Sequence, residues 1–355
     1  MPVGRGRTRW RSFVVATLLF GIYTSLIMTL TPPTPDASGQ DGDLLGTAVA
    51  EERAVQMPPS VQDFQDLQEL TAEAQMLVES AEANRFPSAV SRDLEAALIS
   101  ARELQMAPFP KRGEVLATAR DLAAIIKQEH DNEFRRRELG EKIEKLAEPA
   151  SIAVVAYDVT GEKVLVELNE DQQFASASTY KLFVAYSMFE AVNGGEWDWE
   201  DRLLGSRTLG QCFDDMIIES DNECSERWLE LVGPATVQKQ MTQLGLTDTN
   251  VEWSAMRTTA SDLAHFLSEV VVGDALNGND LARLGDAMEQ QEFREGIPAG
   301  VGSAVVWDKV GFLDQYLHDA AVVKSDKGEM ILVILTAGGS WETIAEAAYA
   351  VYDSY

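Results

Sequence analysis

The stretch FASASTYKLFVAY, residues 174–186, joins a serine-rich segment to an apolar run of helical character. Within it, Ser178 and Lys181 are three residues apart, so on a helix that begins there their side chains lie one turn apart on the same face. Two interpretations fit this spacing. Either Ser178 caps a helix beside a solvated lysine, or Ser178 is a nucleophile whose hydroxyl proton is removed by an unprotonated Lys181.

Two further motifs follow in order along the chain. IIESDNECSERW, residues 217–228, contains Ser220–Asn222 between two helical runs, and VVWDKVGFL, residues 305–313, places Lys309–Gly311 in a predicted strand. An S-x-x-K motif alone is expected about once by chance in a chain of this length. Three motifs in this order, each in its own structural setting, are not expected by chance.

This motif set resembles that of the class A β-lactamases and penicillin-binding proteins over about residues 150–355. The resemblance implies an α+β fold, in which helices flank an antiparallel sheet and an all-α subdomain is inserted. It also implies a serine hydrolase that forms an acyl-enzyme with a β-lactam or related amide, without a cofactor. The sequence predicts no metal site, because three scattered histidines and two cysteines show no ligand spacing.

The resemblance assigns a catalytic role to four side chains. Ser178 would attack the carbonyl carbon, with Lys181 as the general base, and Ser220 would pass a proton to the leaving nitrogen. Lys309 would bind a substrate carboxylate and, as a nearby like charge, lower the pKa of Lys181.

The resemblance also implies how substrate is held. Asn222 would hydrogen-bond the substrate's side-chain amide, and Gly311 would leave room for substrate along the strand edge. The backbone N–H groups of Ser178 and Phe312 would form the oxyanion hole.

The sequence departs from the family pattern at two places. Val310 stands where the family has Thr or Ser, and losing that hydroxyl should weaken carboxylate binding by about 1 to 3 kcal/mol. His318 either replaces this donor or is a surface histidine. The interval GLTDTNVEWSAMRTTA, residues 245–260, lacks the E-x-x-L-N motif that activates the deacylating water. Its carboxylates, Asp248 and Glu252, are expected to be solvated, so we expect acylation to outpace deacylation.

These departures keep two alternative functions open. One is a penicillin-binding-like D,D-peptidase that acts on cell-wall peptides. The other is a non-catalytic module that binds the cell wall or a protein partner.

The N-terminal part predicts a membrane anchor. Four arginines precede an uncharged apolar stretch, residues 13–30, which predicts a single transmembrane helix with residues 1–12 in the cytoplasm. A cleaved signal peptide is the alternative. Residues 31–59 are predicted to be a flexible linker. Residues 60–148 are predicted to be a helical stalk or small bundle that could bind a protein partner, and residues 150–355 the hydrolase-like domain.

Charge and cysteine content limit the partners and the compartment. Without the four N-terminal arginines the chain has 25 basic and 58 acidic residues, a net charge of −33. This charge argues against nucleic acid or anionic lipid as a partner of the main body, because either would meet like charge. Cys212 and Cys224 flank a predicted turn between helices in the exported part, where we expect a disulfide; two buried thiols are the alternative.

Overall fold

The computed structural model describes residues 57–81, 85–86, 88–253 and 255–355. The predicted transmembrane helix 13–30, the segment 1–12 and nearly all of the linker 31–59 lie outside these residues. Within the described ranges, none of the helices combines the length and the apolar character needed to cross a bilayer. The chain forms two compact units.

The first unit contains residues 57–79 and Asp93–Lys127 and is helical. Its helices are α1 (Val61–Ala81), α2 (Ala89–Met106) and the first part of α3 (Arg112–Ala147). Apolar residues three or four apart on each helix form a common core. The core includes Leu67, Leu70, Leu94, Leu98, Val115, Leu122 and Ile126. At its edge Arg112 Nε donates to Asp63 Oδ2 at 2.8 Å, and this bond lowers the pKa of Asp63 to about 2.

The second unit, Ser80–Arg92 with Gln128–Tyr355, is an α+β structure. Its strands are β1 (Ser151–Asp158), β2 (Lys163–Leu168), β3 (Phe174–Ala175), β4 (Arg202–Leu204), β5 (Arg207–Thr208), β6 (Arg257–Thr258), β7 (Val305–Leu313), β8 (Tyr316–Ser325) and β9 (Gly328–Ala337). A 3₁₀ helix, Ala177–Tyr180, precedes α4 (Lys181–Asn193), α5 (Leu209–Ile218), α6 (Asn222–Val232), α7 (Pro234–Gln243), α8 (Ala260–Val271), α9 (Gly278–Glu289), α10 (Ile297–Gly300) and α11 (Trp341–Ser354).

The main sheet is antiparallel, with strand order β2-β1-β9-β8-β7. The first strand pairs with the last, with Val154 opposite Ile334, so segments from both ends of the unit meet across the inserted helices. The central strands are apolar runs because both of their faces are buried. Strand β7 lies at one edge of the sheet, and this edge carries the Lys309–Gly311 motif.

Helices cover both faces of the sheet. The inserted helices pack on the face that includes Val155 and Val333. Helices α10 and α11, with the end of α3, pack on the face that includes Val154 and Leu332. This arrangement is the antiparallel sheet with flanking helices that the resemblance implies.

The division between the two units falls inside α3. From Gln128 onward this helix belongs to the second unit, because Leu139, Ile143 and Ala147 complete the core on one sheet face. The polar run EHDNEFRRRE, residues 129–138, marks the change in the sequence. It interrupts the apolar stripe where the helix passes from one core to the other.

Candidate active site

Ser178 lies in the 3₁₀ helix, between β3 and α4. The cap positions of the 3₁₀ helix and of α4 are Ser176 and Tyr180, and neither side chain makes a capping hydrogen bond. The Ser178 hydroxyl instead lies 3.0 Å from Lys181 Nζ. Lys181 is fully buried, so the interpretation as a helix cap beside a solvated lysine is wrong.

The amine of Lys181 is surrounded by oxygen atoms. Lys181 Nζ donates to the Ser220 carbonyl oxygen at 2.6 Å and to Asn222 Oδ1 at 2.7 Å. Both oxygens can only accept, and a neutral amine has two N–H groups and one lone pair. When these two oxygens take the two N–H groups, the lone pair is left for a hydroxyl, and the Ser178 hydroxyl is in reach.

Burial favours this neutral form of Lys181. Desolvation lowers the pKa of Lys181 to about 8, although the charges of Asp221 and Glu226 act in the opposite direction. We expected the charge of Lys309 to cause the shift, but burial is the main cause. The repulsion between the two ammonium groups acts on Lys309, where it adds to burial and the pKa falls to about 7.

Ser220 is held between the two lysines. Ser220 Oγ accepts from Lys309 Nζ at 3.0 Å and lies 3.2 Å from Lys181 Nζ. Its φ of 62° lies in the left-handed region, which costs a non-glycine residue about 1 to 3 kcal/mol. The next residue, Asp221, caps α6 by accepting from the Cys224 N–H at 2.8 Å. The strained backbone therefore directs the carbonyl oxygen and the hydroxyl of Ser220 toward the two amines. The cap by Asp221 supplies a hydrogen-bond acceptor for an N–H group in the first turn of α6.

The sequence analysis missed a buried network of charged side chains beside Lys309. Asp308 and Asp319 are fully buried, and burial raises the pKa of both, that of Asp319 to about 7. Arg294 forms an ion pair with Asp308, and the Ile297 N–H donates to Asp319 Oδ2 at 2.8 Å. Charged residues within otherwise apolar strands, in WDKVG and LHDAA, were the available signal.

Gly311 is in close contact with the backbone of Ser178 and Thr179. A Cβ atom at this position would lie 3.0 Å from the amide nitrogens of both Ser178 and Thr179. Any other residue would therefore push the 3₁₀ helix away from β7.

A cavity of about 570 Å³ opens above Ser178. Asn222 and Phe312 also line it, together with the aromatic side chains of Phe174, Tyr180, Trp253 and Tyr316. The charged side chains of its lining are Glu226 and Arg257. We call this space the Ser178 cavity.

Val310 and His318 do not form a carboxylate site. The Val310 side chain is fully buried, and its carbonyl oxygen accepts from Lys309 Nζ at 3.1 Å. His318 is also fully buried, and burial lowers its pKa to about 4. Its Nδ1 accepts from the Thr336 N–H at 3.2 Å, so Nε2 carries the proton and donates to the Ala175 carbonyl oxygen at 2.8 Å. Both ring nitrogens therefore already have hydrogen-bond partners within the protein. His318 neither replaces the missing hydroxyl donor nor lies at the surface, so both interpretations of it are wrong.

The carboxylates of the 245–260 interval lie apart from Ser178. Glu252 is exposed and is not part of the lining of the Ser178 cavity. Asp248 is 3.6 Å from Arg85. The interval instead contributes Trp253 and Met256 to the lining.

Cys212 and Cys224 form a disulfide with a Cα–Cα distance of 5.3 Å. The bond joins α5 to α6, the helix that begins at Asn222. It therefore restrains one wall of the site.

The model of the Beta-lactamase enzyme family matches residues 138–355. The chain belongs to this family. A β-lactamase from Amycolatopsis lactamdurans is 28% identical in an alignment of 196 positions that covers 46% of this chain and 64% of that protein. The match thus spans just under two thirds of that relative's length.

Several solved structures share the fold at low sequence identity. An acyl-enzyme complex of a PBP-A mutant with penicillin G has 21% identity and a TM-score of 0.57, covering 61% of this chain and 96% of that one. A β-lactamase from Desulfarculus baarsii has 20% identity and a TM-score of 0.56, covering 61% of this chain and 96% of that one. The family match begins at residue 138, inside α3 and shortly after Gln128, where the longer segment of the second unit begins.

Substitution of Gly311 by alanine should slow acylation of Ser178 without unfolding the protein. Overpacking of this kind costs about 1 to 3 kcal/mol, or roughly 5- to 150-fold in rate. Acylation by benzylpenicillin, followed by intact-protein mass spectrometry, measures the effect. Gly278→Ala is the matched control, because no atom lies within 4 Å of its added Cβ. Equal rates for the two variants would contradict the close approach at Gly311.

The limiting acylation rate should rise with pH. A base must be unprotonated, and the pKa of Lys181 is about 8, so the rate should increase about tenfold per unit at lower pH and level off above about pH 8. Saturating substrate removes the separate effect of Lys309 on binding. A rate that is flat or falls between about pH 6 and pH 8 would exclude neutral Lys181 as the base.

Proposed function

We propose that this protein is an extracytoplasmic serine hydrolase that acts through an acyl-enzyme at Ser178 on a β-lactam or a related amide. One observation carries the proposal. The Ser178 hydroxyl opens on the Ser178 cavity and lies 3.0 Å from the amine of a fully buried lysine. A serine hydroxyl becomes an effective nucleophile when such a base removes its proton.

Acylation follows from this geometry. Neutral Lys181 takes the proton of Ser178 as Oγ attacks the carbonyl carbon of the amide. When the tetrahedral intermediate collapses, the C–N bond breaks and the Ser220 hydroxyl gives its proton to the nitrogen. Lys181 then returns a proton to Ser220 Oγ, 3.2 Å away. The backbone N–H groups of Ser178 and Phe312 would stabilise the oxyanion, as the family pattern implies.

The lining of the Ser178 cavity favours substrates with an apolar or aromatic acyl group. Trp253, Phe312 and Tyr316 offer ring surfaces, and Arg257 offers a cation for a carboxylate. Benzylpenicillin combines an aromatic acyl group with a carboxylate, which makes it a suitable probe.

A penicillin-binding-like D,D-peptidase is the second candidate. The short 245–260 interval favours it, because neither of its carboxylates lines the cavity. Such an enzyme would be acylated by a penicillin and would release the product very slowly. A non-catalytic module is less consistent with the site, since a binding surface does not require a buried lysine beside a serine hydroxyl.

The proposed location is the outer side of the cell membrane, with residues 13–30 as a single-pass anchor. The uncharged stretch behind four arginines supports this topology, and the disulfide fits an oxidising compartment.

Full-length protein should therefore enter the membrane fraction of expressing cells, and protease added outside intact spheroplasts should digest it. Deletion of residues 1–30 is the control and should leave the protein protected inside the cell. Full-length protein that is protected from external protease would contradict the proposed topology.

Ser178→Ala should abolish covalent labelling. Parent protein mixed with benzylpenicillin should gain the mass of the whole antibiotic, because opening the lactam ring releases no fragment. Lys181→Ala should slow this labelling by about 10²- to 10⁴-fold, the usual effect of losing a general base. Ser176→Ala is the matched control, since this neighbouring serine is buried and has no hydrogen-bond partner for its hydroxyl. Labelling of Ser178→Ala at the parental rate would overturn the proposal.

A further inference from the structure

We infer that Glu226, on α6, is the carboxylate that activates the water for hydrolysis of the acyl-enzyme. The inference rests on the proposed acylation of Ser178. It gives the site a route to turnover that the 245–260 interval does not supply.

Glu226 lines the Ser178 cavity together with Ser178 and Asn222. It lies four residues after Asn222 on α6, so the two side chains share one face of the helix. Asn222 Oδ1 is 2.7 Å from Lys181 Nζ, which places that face beside the proposed catalytic pair. The charge of Glu226 also raises the pKa of both Lys181 and Tyr180, as a carboxylate close to the serine and lysine would.

The helix that carries Glu226 is held rigidly against the nucleophile. Tyr180 Oη and Ser225 Oγ are 2.8 Å apart, which ties the 3₁₀ helix to α6. The disulfide at Cys224 ties α6 to α5. A general base needs a fixed position relative to the acyl group, and a helix supported from two sides provides one.

The neighbouring carboxylates are engaged elsewhere. Arg207 binds Asp221 at 3.2 Å and Glu223 at 2.9 Å. In the described part of the chain, by contrast, the Glu226 carboxylate has no hydrogen bond or ion pair. It is exposed at the cavity, so water has access to it.

Hydrolysis of the acyl-enzyme requires only Glu226, Ser178 and one water molecule. The Glu226 carboxylate accepts a proton from water as the water oxygen bonds to the ester carbonyl carbon. The bond between that carbon and Ser178 Oγ then breaks, and the proton held by Glu226 moves to Oγ. One water is consumed, a carboxylic acid is released, and Ser178 and Glu226 return to their starting states.

The test is a time course of the full-length protein with benzylpenicillin, followed by intact-protein mass spectrometry and by loss of the antibiotic. Glu226→Gln keeps the shape of the side chain but cannot take a proton. We expect it to be acylated within about threefold of the parental rate and to keep its adduct about 10²- to 10⁴-fold longer. Glu226→Asp retains the carboxylate one methylene further back, so its adduct should have an intermediate lifetime.

Glu252→Gln is the matched control, because this carboxylate is exposed outside the cavity lining, and it should behave as the parent does. An adduct on Glu226→Gln that decays at the parental rate would overturn the inference, as would a parental adduct that is equally long-lived. A folded Glu226→Gln protein that is not acylated would also overturn it, since the residue would then act in binding or acylation. Failure of the parent to be acylated at all would overturn the proposed function, and this inference with it.

Discussion

The site depends on burial of the Lys181 amine against the Ser178 hydroxyl. An isolated ammonium group is costly to bury, and the protein lowers that cost by favouring the neutral amine, whose pKa is about 8. The Ser220 carbonyl oxygen and Asn222 Oδ1 occupy its two N–H groups. Desolvation thus increases the fraction of Lys181 that is neutral, with a lone pair available to the Ser178 hydroxyl.

The rest of the second unit holds this pair in place. Strand β7 lies at the sheet edge and brings Gly311 against the backbone of Ser178, and α6 presents Asn222 from the other side. The left-handed backbone of Ser220 is one local cost of the arrangement. The bonds that Ser220 makes to Lys181 and Lys309 offset this cost, so the strain is concentrated where two of the sequence motifs meet.

The burial of two carboxyl groups near Lys309 is a second energetic cost. Asp308 and Asp319 are buried close together, and burial raises the pKa of each. Arg294 and the Ile297 N–H stabilise these carboxylates. Buried groups of this kind are expensive unless they are paired, and here they surround a lysine that faces the Ser220 hydroxyl.

Most of the architecture could be predicted from the sequence because it is encoded in local patterns. The apolar runs of β1 and β9 and the amphipathic period of α11 each specify one element. The place where the two units divide is not visible in such local patterns. Helix α3 is continuous in sequence, and only its packing shows that Leu139 and Ile143 belong to the core of the second unit.

The residues of the candidate site also fall into two groups, those that local sequence motifs indicate and those that only the tertiary structure shows. The order and spacing of its motifs identified Ser178, Lys181, Ser220 and Lys309, because side chains one helical turn apart and residues at a strand edge have predictable positions. The place of Glu226 in the cavity lining, the buried acids beside Lys309 and the occupied nitrogens of His318 were decided by tertiary structure. Each depends on contacts between residues far apart in the chain, and desolvation at such contacts determines which groups are charged and which are available for chemistry.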